Sequence, residues 1–463
     1  YNTLGQEDTS YYLLRKILRL TLVLGLIFAA IMYIGSPILA AWSGGGADLV
    51  RVMKSLSWAL LLFPSMSVLR GFFQGFNNLK PYAMSQIAEQ IILVIWMLLT
   101  AFMIMKIGSG DYGSAGVQST FAAFIGMIAS VLVLLFFLWR EGKLQAIFSA
   151  GNNDVDIDAN AIIIETIKEA IPFIITGAAI QLFQIVDQLS FINTMKLFTS
   201  HTTKELQILY AYLSSNPNKV TMILISLATA IGGAGIPLLT ENFVNKDKKA
   251  AAHLVINSLQ MLCMVLFPAM LGAIILAQPL YTLFYGAPNS TALWLFVGAL
   301  LQVIFLALYS LLAPMLQALF ENRKAIRYFG YGLIIKIVLQ IPFIYLFHAY
   351  GPLLSTAIGL TIPIVLMYKR IYEVTRFNRK ALLRGIFLVS ILTAMMGVIV
   401  AIATVGLHFI VSPTTRVGSV VYIVLVGALG VLVYGFLALV TRLLDKLIGG
   451  RAKALRQKLH LER

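Results

Sequence analysis

The sequence predicts an all-α protein that crosses a membrane about a dozen times, and three observations indicate this fold class. The chain is 59% hydrophobic and 12% charged, whereas soluble domains average about 45–50% apolar and about 25% charged residues. Apolar stretches long enough to span a bilayer as helices recur along the chain. Stretches such as 17–41 and 421–440 do not alternate as the strands of a membrane barrel would. The lipid of a membrane, rather than a protein core, therefore has to cover most of the apolar surface of these helices.

Charged or glycine- and proline-rich breaks divide the chain into twelve predicted transmembrane helices. Each is close to the roughly 20 apolar residues that one crossing requires. They lie near residues 17–41, 56–75, 86–106, 117–139, 171–194, 220–240, 254–282, 293–319, 329–347, 351–368, 383–410 and 418–440. The sixth contains Gly232, Gly235 and Pro237, so we expect this helix to be kinked or unwound.

Basic residues in alternate loops predict the orientation of these helices. Of the 35 Lys and Arg, 26 fall on the side that holds both ends of the sequence, and 7 fall in the loops on the opposite side. Cytoplasmic loops carry the excess of Lys and Arg in membrane proteins. We therefore expect both ends to face the cytoplasm.

The net charge of +16 fits two kinds of partner, nucleic acid and anionic lipid. The basic residues are scattered over short loops and a tail, without the interleaved aromatic residues of a nucleic-acid surface. We therefore expect contact with membrane lipids and no nucleic acid. The single Cys263 lies inside an apolar span, and the histidines lack metal-ligand spacing. No nucleotide-binding loop or nucleophile–base pair is present, so we expect no cofactor and no enzymatic activity.

The chain also matches itself at an offset of about 240 residues. The matching positions are, in order, Asn2 with Asn242, Pro37 with Pro279, Gly44 with Gly286, and 74–80 with 317–324. Several matches in the same order favour a true repeat over the general likeness of apolar helices. The offset spans six crossings, an even number, so the two halves are predicted to be parallel repeats.

The repeat predicts how the chain is divided. Residues 1–150 are the remainder of a first six-helix lobe, residues 151–380 are a second lobe, and residues 381–463 are a final helix pair with a basic tail. The two spans within 171–240 have no partner ahead of Tyr1. We therefore expect that two further helices precede this sequence in the natural protein, which would then have fourteen.

Two segments resemble a known family. Residues 67–90, with the sequence SVLRGFFQGFNNLKPYAMSQIAEQ, are similar to a helix turn of the multidrug/oligosaccharidyl-lipid/polysaccharide flippase superfamily. Residues 235–243, GIPLLTENF, resemble the end of the eighth helix of that superfamily. The closer likeness is to its bacterial polysaccharide-transport branch, which includes relatives of stage V sporulation protein B and lipid II flippases.

The resemblance implies an alternating-access transporter of the bacterial plasma membrane. Two lobes would enclose a cavity for the headgroup of a lipid-linked saccharide, and the final helix pair would form a groove for its polyprenyl tail. Arginines of the cavity often lie on the first helix of the family, which would precede this sequence. The protein is expected to act as a monomer and to be driven by an ion gradient or the membrane potential.

Arg70 and Glu89 are ionisable residues within predicted spans, where a charge costs about 2.5–3.5 kcal/mol on insertion scales. Arg70 precedes the turn near Phe76 by six residues, and Glu89 follows Tyr82 by seven. At 1.5 Å per residue both lie roughly 10 Å from the same turn. They can form a structural ion pair, or Arg70 can bind a diphosphate, since a planar guanidinium suits phosphate oxygens.

A second polar face is predicted around Asp187. Gln181, Gln184 and Asp187 recur at helical spacing, which indicates either a polar helix contact or the lining of a cavity with a cation or proton site. Lys336 stands alone between Ile335 and Ile337. Its side chain can extend to the cytoplasmic surface or add positive charge to the cavity.

Three functions compete at this point. The first is a flippase for polyprenyl-diphosphate-linked saccharides, with lipid II as the first candidate and other lipid-linked polysaccharides as alternatives. The second is a multidrug–cation antiporter of the same superfamily, against which the additional helix pair at 383–440 argues. The third is a polymerase or scaffold for envelope synthesis, which the lack of a large external loop with catalytic residues disfavours.

Overall fold

The computed structural model describes residues 7–76, 78–144, 147, 159–445 and 456–457. The regular structure within these residues is helical, with no strand. The helices are α1 (Glu7–Trp42), α2 (Ala47–Gly75), α3 (Leu79–Phe102), α4 (Tyr112–Arg140), α5 (Ala159–Gly177), α6 (Ala179–Phe198), α7 (Thr203–Tyr210), α8 (Asn216–Gly233), α9 (Ile236–Val244), α10 (Lys248–Ile275), α11 (Ala277–Tyr285), α12 (Ser290–Ala318), α13 (Asn322–Phe347), α14 (Gly351–Thr375), α15 (Arg379–His408) and α16 (Arg416–Val440).

Ten helical stretches among the described residues are long and apolar enough to cross a membrane, or eleven if the bent pair α5–α6 is one span. One of the ten, Asn322–Thr375, contains both α13 and α14. Gly332 lies against Gly359 and Lys336 against Ser355, so the two helices run antiparallel and the stretch supplies two crossings. The all-α polytopic fold is confirmed, and the exact number of twelve spans stays a prediction.

Large apolar side chains cover the outside of the long helices. Leu98 in α3, Phe387 in α15 and Val431 in α16 are all exposed. Such surface is unfavourable in water by about 25 cal/mol per Å², and it matches the hydrocarbon of a bilayer. Polar residues instead begin several helices, where a side chain accepts backbone N–H groups. These caps are Asp111, Asp247, Asn289, Asn378 and Thr415.

Unit 1 of the fold comprises residues 1–169. Helix α1 packs on α2, and α4 packs on both α2 and α3. Met66 and Phe73 of α2 and Leu134 and Leu138 of α4 are fully or almost fully buried between these helices. Gly126 allows α4 to approach α3, since a Cβ there would lie 2.8 Å from the backbone oxygen of Glu89.

Unit 2 comprises residues 170–463. Helix α12 lies at its centre against α8, α10 and α14, and α13 forms the hairpin with α14. Val303 and Met315 of α12, Leu262 of α10 and Leu360 of α14 are completely buried in this core. The final helices extend the same unit, because α15 packs on α10 and α16 packs on α11 and α15.

The helix bounds follow the predicted repeat. Helix α2 begins at Ala47 and α12 at Ser290, while α3 begins at Leu79 and α13 at Asn322, so both pairs are 243 residues apart. The packing partners also correspond, since α4 contacts α2 and α3 in unit 1 as α14 contacts α12 and α13 in unit 2. The Asn2 match, the predicted boundary at 150 and most of the basic tail lie outside the described residues.

Three of the predicted spans are interrupted, one of them at Leu276 between α10 and α11, within the predicted span 254–282. The expected break in the sixth is confirmed, because α8 ends at Gly233 and α9 begins at Ile236. Another break, which the sequence analysis did not predict, lies at Ala178, where the chain bends by 50° between the 170–177 part of α5 and α6. This bend sets the direction in which α6 presents its polar residues to the rest of unit 2.

Candidate functional site

Arg70 of α2 binds side chains from two other helices of unit 1. Its Nη2 donates to Oε2 of Glu89 in α3 at 2.6 Å and to Oγ of Ser130 in α4 at 2.9 Å. Its Nε donates to Oγ of Ser85, also in α3, at 3.0 Å. One guanidinium thus joins α2, α3 and α4. We call these four residues the Arg70 cluster.

The Arg70 cluster is mostly enclosed by protein. Ser85 and Ser130 are completely buried, while the side chains of Arg70 and Glu89 retain 15% and 13% of their exposure. Arg70 and Glu89 form the ion pair that their spacing in the sequence predicted. Binding of a diphosphate by Arg70 stays a prediction. It would use the part of the side chain that is still exposed.

Lys336 of α13 is completely buried, and its Nζ lies among oxygen atoms of two other helices. The oxygen partners are Asp187 Oδ1 of α6 at 2.5 Å, Thr356 Oγ1 at 2.7 Å, Ser355 Oγ at 2.9 Å and the carbonyl of Pro352 at 3.1 Å. The last three belong to α14. The amino group is thus enclosed in unit 2 rather than extended toward the cytoplasmic surface.

Gln340 completes the polar contacts around this lysine. It lies one turn after Lys336, and its Nε2 donates to Asp187 Oδ1 and to Ser190 Oγ, each at 2.9 Å. Its Oε1 accepts the hydroxyl of Ser355 at 2.7 Å. Lys336, Asp187, Gln340, Ser190, Pro352, Ser355 and Thr356 are called the Lys336 cluster below.

The close approach of α13 and α14 positions this cluster. A Cβ at Gly332 would lie 2.4 Å from the backbone oxygen of Gly359, so only glycine fits there. The tight contact brings Lys336, one turn later in α13, against the first turn of α14. The connecting turn, His348–Tyr350, is short and keeps the helices paired up to their ends.

A small, partly polar cavity lies beside the Lys336 cluster in unit 2. Its polar lining includes Asp187 and Gln184 of α6, Asn218 and Thr221 of α8, and Gln302 of α12. Gln181 is exposed and is not part of this lining. Two of the three residues predicted to form a polar face thus border one cavity, and the third lies apart from it.

A second, apolar groove is formed by α10, α15 and α16. Its lining includes Pro268 and Gly272 of α10, Met396 of α15, and Gly430 and Val431 of α16. Glycines of α16 face the groove, and Cβ atoms at Gly427 and Gly435 would meet nothing within 4 Å. The groove is therefore open along the final helix pair.

Sequence reasoning identified Lys336 and Asp187 separately and missed that they form a pair. Five further members of the Lys336 cluster were also missed, namely Ser190, Gln340, Pro352, Ser355 and Thr356. Gln340 follows Lys336 at helical spacing within an apolar span, and this signal was available. The serine and threonine residues carried no such signal in the sequence, since their hydroxyl groups can form hydrogen bonds within their own helix. Among the described residues no group of His, Cys, Asp or Glu has the geometry of a metal site.

Comparison with known proteins gives consistent matches. A family described as polysaccharide biosynthesis protein matches residues 2–243. The lipid II flippase MurJ of Bacillus subtilis (strain 168) is 31% identical across 97% of this chain and 85% of its own length. The uncharacterized membrane protein YabM of the same organism is 25% identical across 90% of this chain and 76% of its own.

Solved structures share the fold. An inward closed conformation of a lipid II flippase MurJ aligns with a TM-score of 0.61 and 13% identity, covering 96% of this chain and 85% of that chain. An inward-facing multidrug resistance transporter of the MATE family, from the MOP superfamily, aligns with a TM-score of 0.58 and 14% identity. It covers 81% of this chain and 84% of its own.

Proposed function

Because this chain belongs to the polysaccharide biosynthesis protein family, within the multidrug/oligosaccharidyl-lipid/polysaccharide flippase superfamily, we propose that it moves a lipid-linked saccharide across the bacterial plasma membrane. Lipid II is the first candidate cargo, since the relative that is 31% identical is a lipid II flippase. Another polyprenyl-diphosphate-linked saccharide is the alternative. Transport would proceed by alternating access in a monomer with both ends in the cytoplasm, without a cofactor or a chemical reaction.

The open apolar groove along α15 and α16 is the observation that supports a lipid-linked cargo most directly. A polyprenyl tail is a long hydrocarbon and needs an apolar surface that is continuous with lipid, which this groove offers. The lipid II flippase structure also covers more of this chain than the multidrug transporter does, 96% against 81%.

The two polar clusters supply candidate roles for the headgroup and the driving force. In the proposal, the exposed part of Arg70 contacts the diphosphate and Glu89 holds the guanidinium in position. Asp187 and Gln184 line a polar cavity in which a proton can interact with the protein, and Lys336 balances the charge of Asp187. Gln181 lies on the same helix but outside the cavity lining, so in this proposal its exposed side chain would contact the headgroup from outside that cavity.

Complementation tests the cargo. The full-length gene is expressed in cells depleted of their lipid II flippase, and the accessibility of lipid II outside the membrane is followed. Restored growth and external lipid II are the expected results. Failure here, together with rescue of a different lipid-linked glycan pathway, would replace lipid II by that glycan. Failure in every glycan pathway, with export of cationic drugs, would overturn the flippase proposal.

A further inference from the structure

The surroundings of Lys336 differ from those of an ordinary ion pair. A simple pair needs one carboxylate, whereas Nζ of Lys336 has a carboxylate oxygen, a carbonyl oxygen and two hydroxyl oxygens within 2.5–3.1 Å. An ammonium group has three protons to donate. Four oxygens from two helices therefore surround a group that can bond to only three of them at a time.

This set of oxygens is the kind that binds a hard metal cation. Carboxylate, carbonyl and hydroxyl oxygens suit cations without preference for nitrogen or sulfur. Backbone carbonyl oxygens coordinate monovalent ions in membrane channels and transporters. The carbonyl of Pro352 lies in the first turn of α14, and an ammonium group is close to K⁺ in size. The nitrogen of Lys336 thus occupies a position in which a monovalent metal ion would find its ligands.

We propose that Lys336 is a built-in cation, which fills an oxygen cage of the monovalent-ion type and holds α6, α13 and α14 together without bound Na⁺ or K⁺. The cage consists of Asp187 Oδ1, the Pro352 carbonyl, Ser355 Oγ and Thr356 Oγ1. Asp187 also lines the polar cavity, which gives small ions a route to the cage. This inference concerns the protein without cargo and does not depend on the proposed function.

Two substitutions of Lys336 should differ in how their thermal unfolding midpoints respond to alkali salts. Lys336→Ala empties the cage and leaves the Asp187 charge to be balanced by an ion. Lys336→Met also removes the positive charge but fills the cage with an apolar chain. Only the alanine variant should therefore gain a site for an alkali cation.

The test measures the thermal unfolding midpoint in detergent with NaCl or KCl, replaced at constant ionic strength by N-methyl-glucamine chloride. For Lys336→Ala we expect the midpoint to rise by about 3–5 °C as the alkali cation is added, the size of shift that occupation of one site gives. Wild type and Lys336→Met should not respond. The double variant Lys336→Ala with Asp187→Asn should lose the response, since the cage then has no charge to balance.

Three outcomes would overturn the proposal. A midpoint of Lys336→Ala that does not depend on alkali cations would show that the cage is a structural contact only. A wild-type midpoint that rises with Na⁺ or K⁺ would show that Lys336 does not fill the site. If Lys336→Ala yields no folded protein in any salt while Lys336→Met folds, cations cannot replace the lysine. Because the assay needs only detergent extracts, low yield does not prevent the measurement.

Discussion

Arg70 has a structural and a proposed functional role, and its contacts allow the two to be separated. Its guanidinium donates to Glu89, Ser85 and Ser130, which come from two helices. Removing one member of a buried ion pair typically costs about 3–5 kcal/mol, because the other charge is left without a partner. Replacing both by apolar residues is often close to neutral. A double replacement can therefore restore folding without restoring the charge.

We predict that Arg70→Met lowers the thermal midpoint strongly and that the double variant Arg70→Met with Glu89→Met recovers most of it. The double variant should still fail to transport, because it has no guanidinium for the diphosphate. The measurements are the midpoint in detergent and growth after depletion of the resident flippase. Full transport by the double variant would reduce the Arg70 cluster to a structural contact.

The residue scale also shows what the sequence could predict about the site. Arg70 and Glu89 are close in sequence and flank one turn, so helix geometry alone predicted their pairing. Lys336 and Asp187 are 149 residues apart. Their contact depends on how α6 packs against the α13–α14 hairpin, which no local pattern contains. The sequence therefore identified both charged residues but did not predict that they form an ion pair.

At the scale of elements, the α13–α14 hairpin depends on a glycine contact. Gly332 faces the backbone oxygen of Gly359, where a Cβ would lie 2.4 Å away, and also the ring of Pro363. Two helix backbones can approach this closely only when small residues lie between them. The Lys336 cluster lies one turn from this contact. Its geometry should therefore change when the helices are forced apart.

We predict that Gly332→Ala destabilises the protein by about 1–3 kcal/mol, the usual cost of overpacking a fitted contact. Gly330→Ala is the matched control, since a Cβ at Gly330 meets nothing within 4 Å. The measurement is the thermal midpoint of each variant beside wild type. Equal midpoints for both variants would show that the hairpin adjusts without cost and that Gly332 is not required there.

Helical elements were largely predictable because membrane spans have a strong compositional signal. The break at 232–237 was predictable from glycine and proline, and it lies at the α8–α9 junction. The 50° bend at Ala178 could not be predicted from glycine or proline in the same way. Gly177 is the glycine beside that bend, and single glycines also occur within unbroken helices of this chain, such as Gly126 in α4. Bends of this kind depend on packing rather than on local sequence.

At the scale of the molecule, the predicted repeat and the final helix pair describe how the helices are arranged along the chain. Two pairs of helices begin 243 residues apart and have corresponding packing partners, as the predicted repeat requires. Helices α15 and α16 have no place in that repeat and form the apolar groove with α10. The groove is therefore the feature in which this chain departs most from a simple duplicated transporter.

We predict that Gly427→Leu blocks this groove and lowers transport of the lipid-linked cargo at least tenfold while the protein remains folded. A Cβ at Gly427 meets nothing within 4 Å, so the side chain enters open space in the groove. Gly406→Leu is the control, since it also meets nothing within 4 Å but lies outside the groove lining. The measurement is external exposure of the lipid-linked precursor in cells. Normal exposure with Gly427→Leu would remove the groove from the transport route.

The buried Lys336 also has a consequence for how the protein is made. During synthesis a lysine at the centre of a span opposes partition of that helix into lipid by about 2.5–3.5 kcal/mol. Ser355 and Thr356 emerge from the ribosome 19 and 20 residues after Lys336, whereas Asp187 was made 149 residues before it. The ion pair can therefore form only once α13 has been made, when α6 is already complete. The ion pair thus ties biogenesis of the two helices together, in addition to stabilising the finished fold.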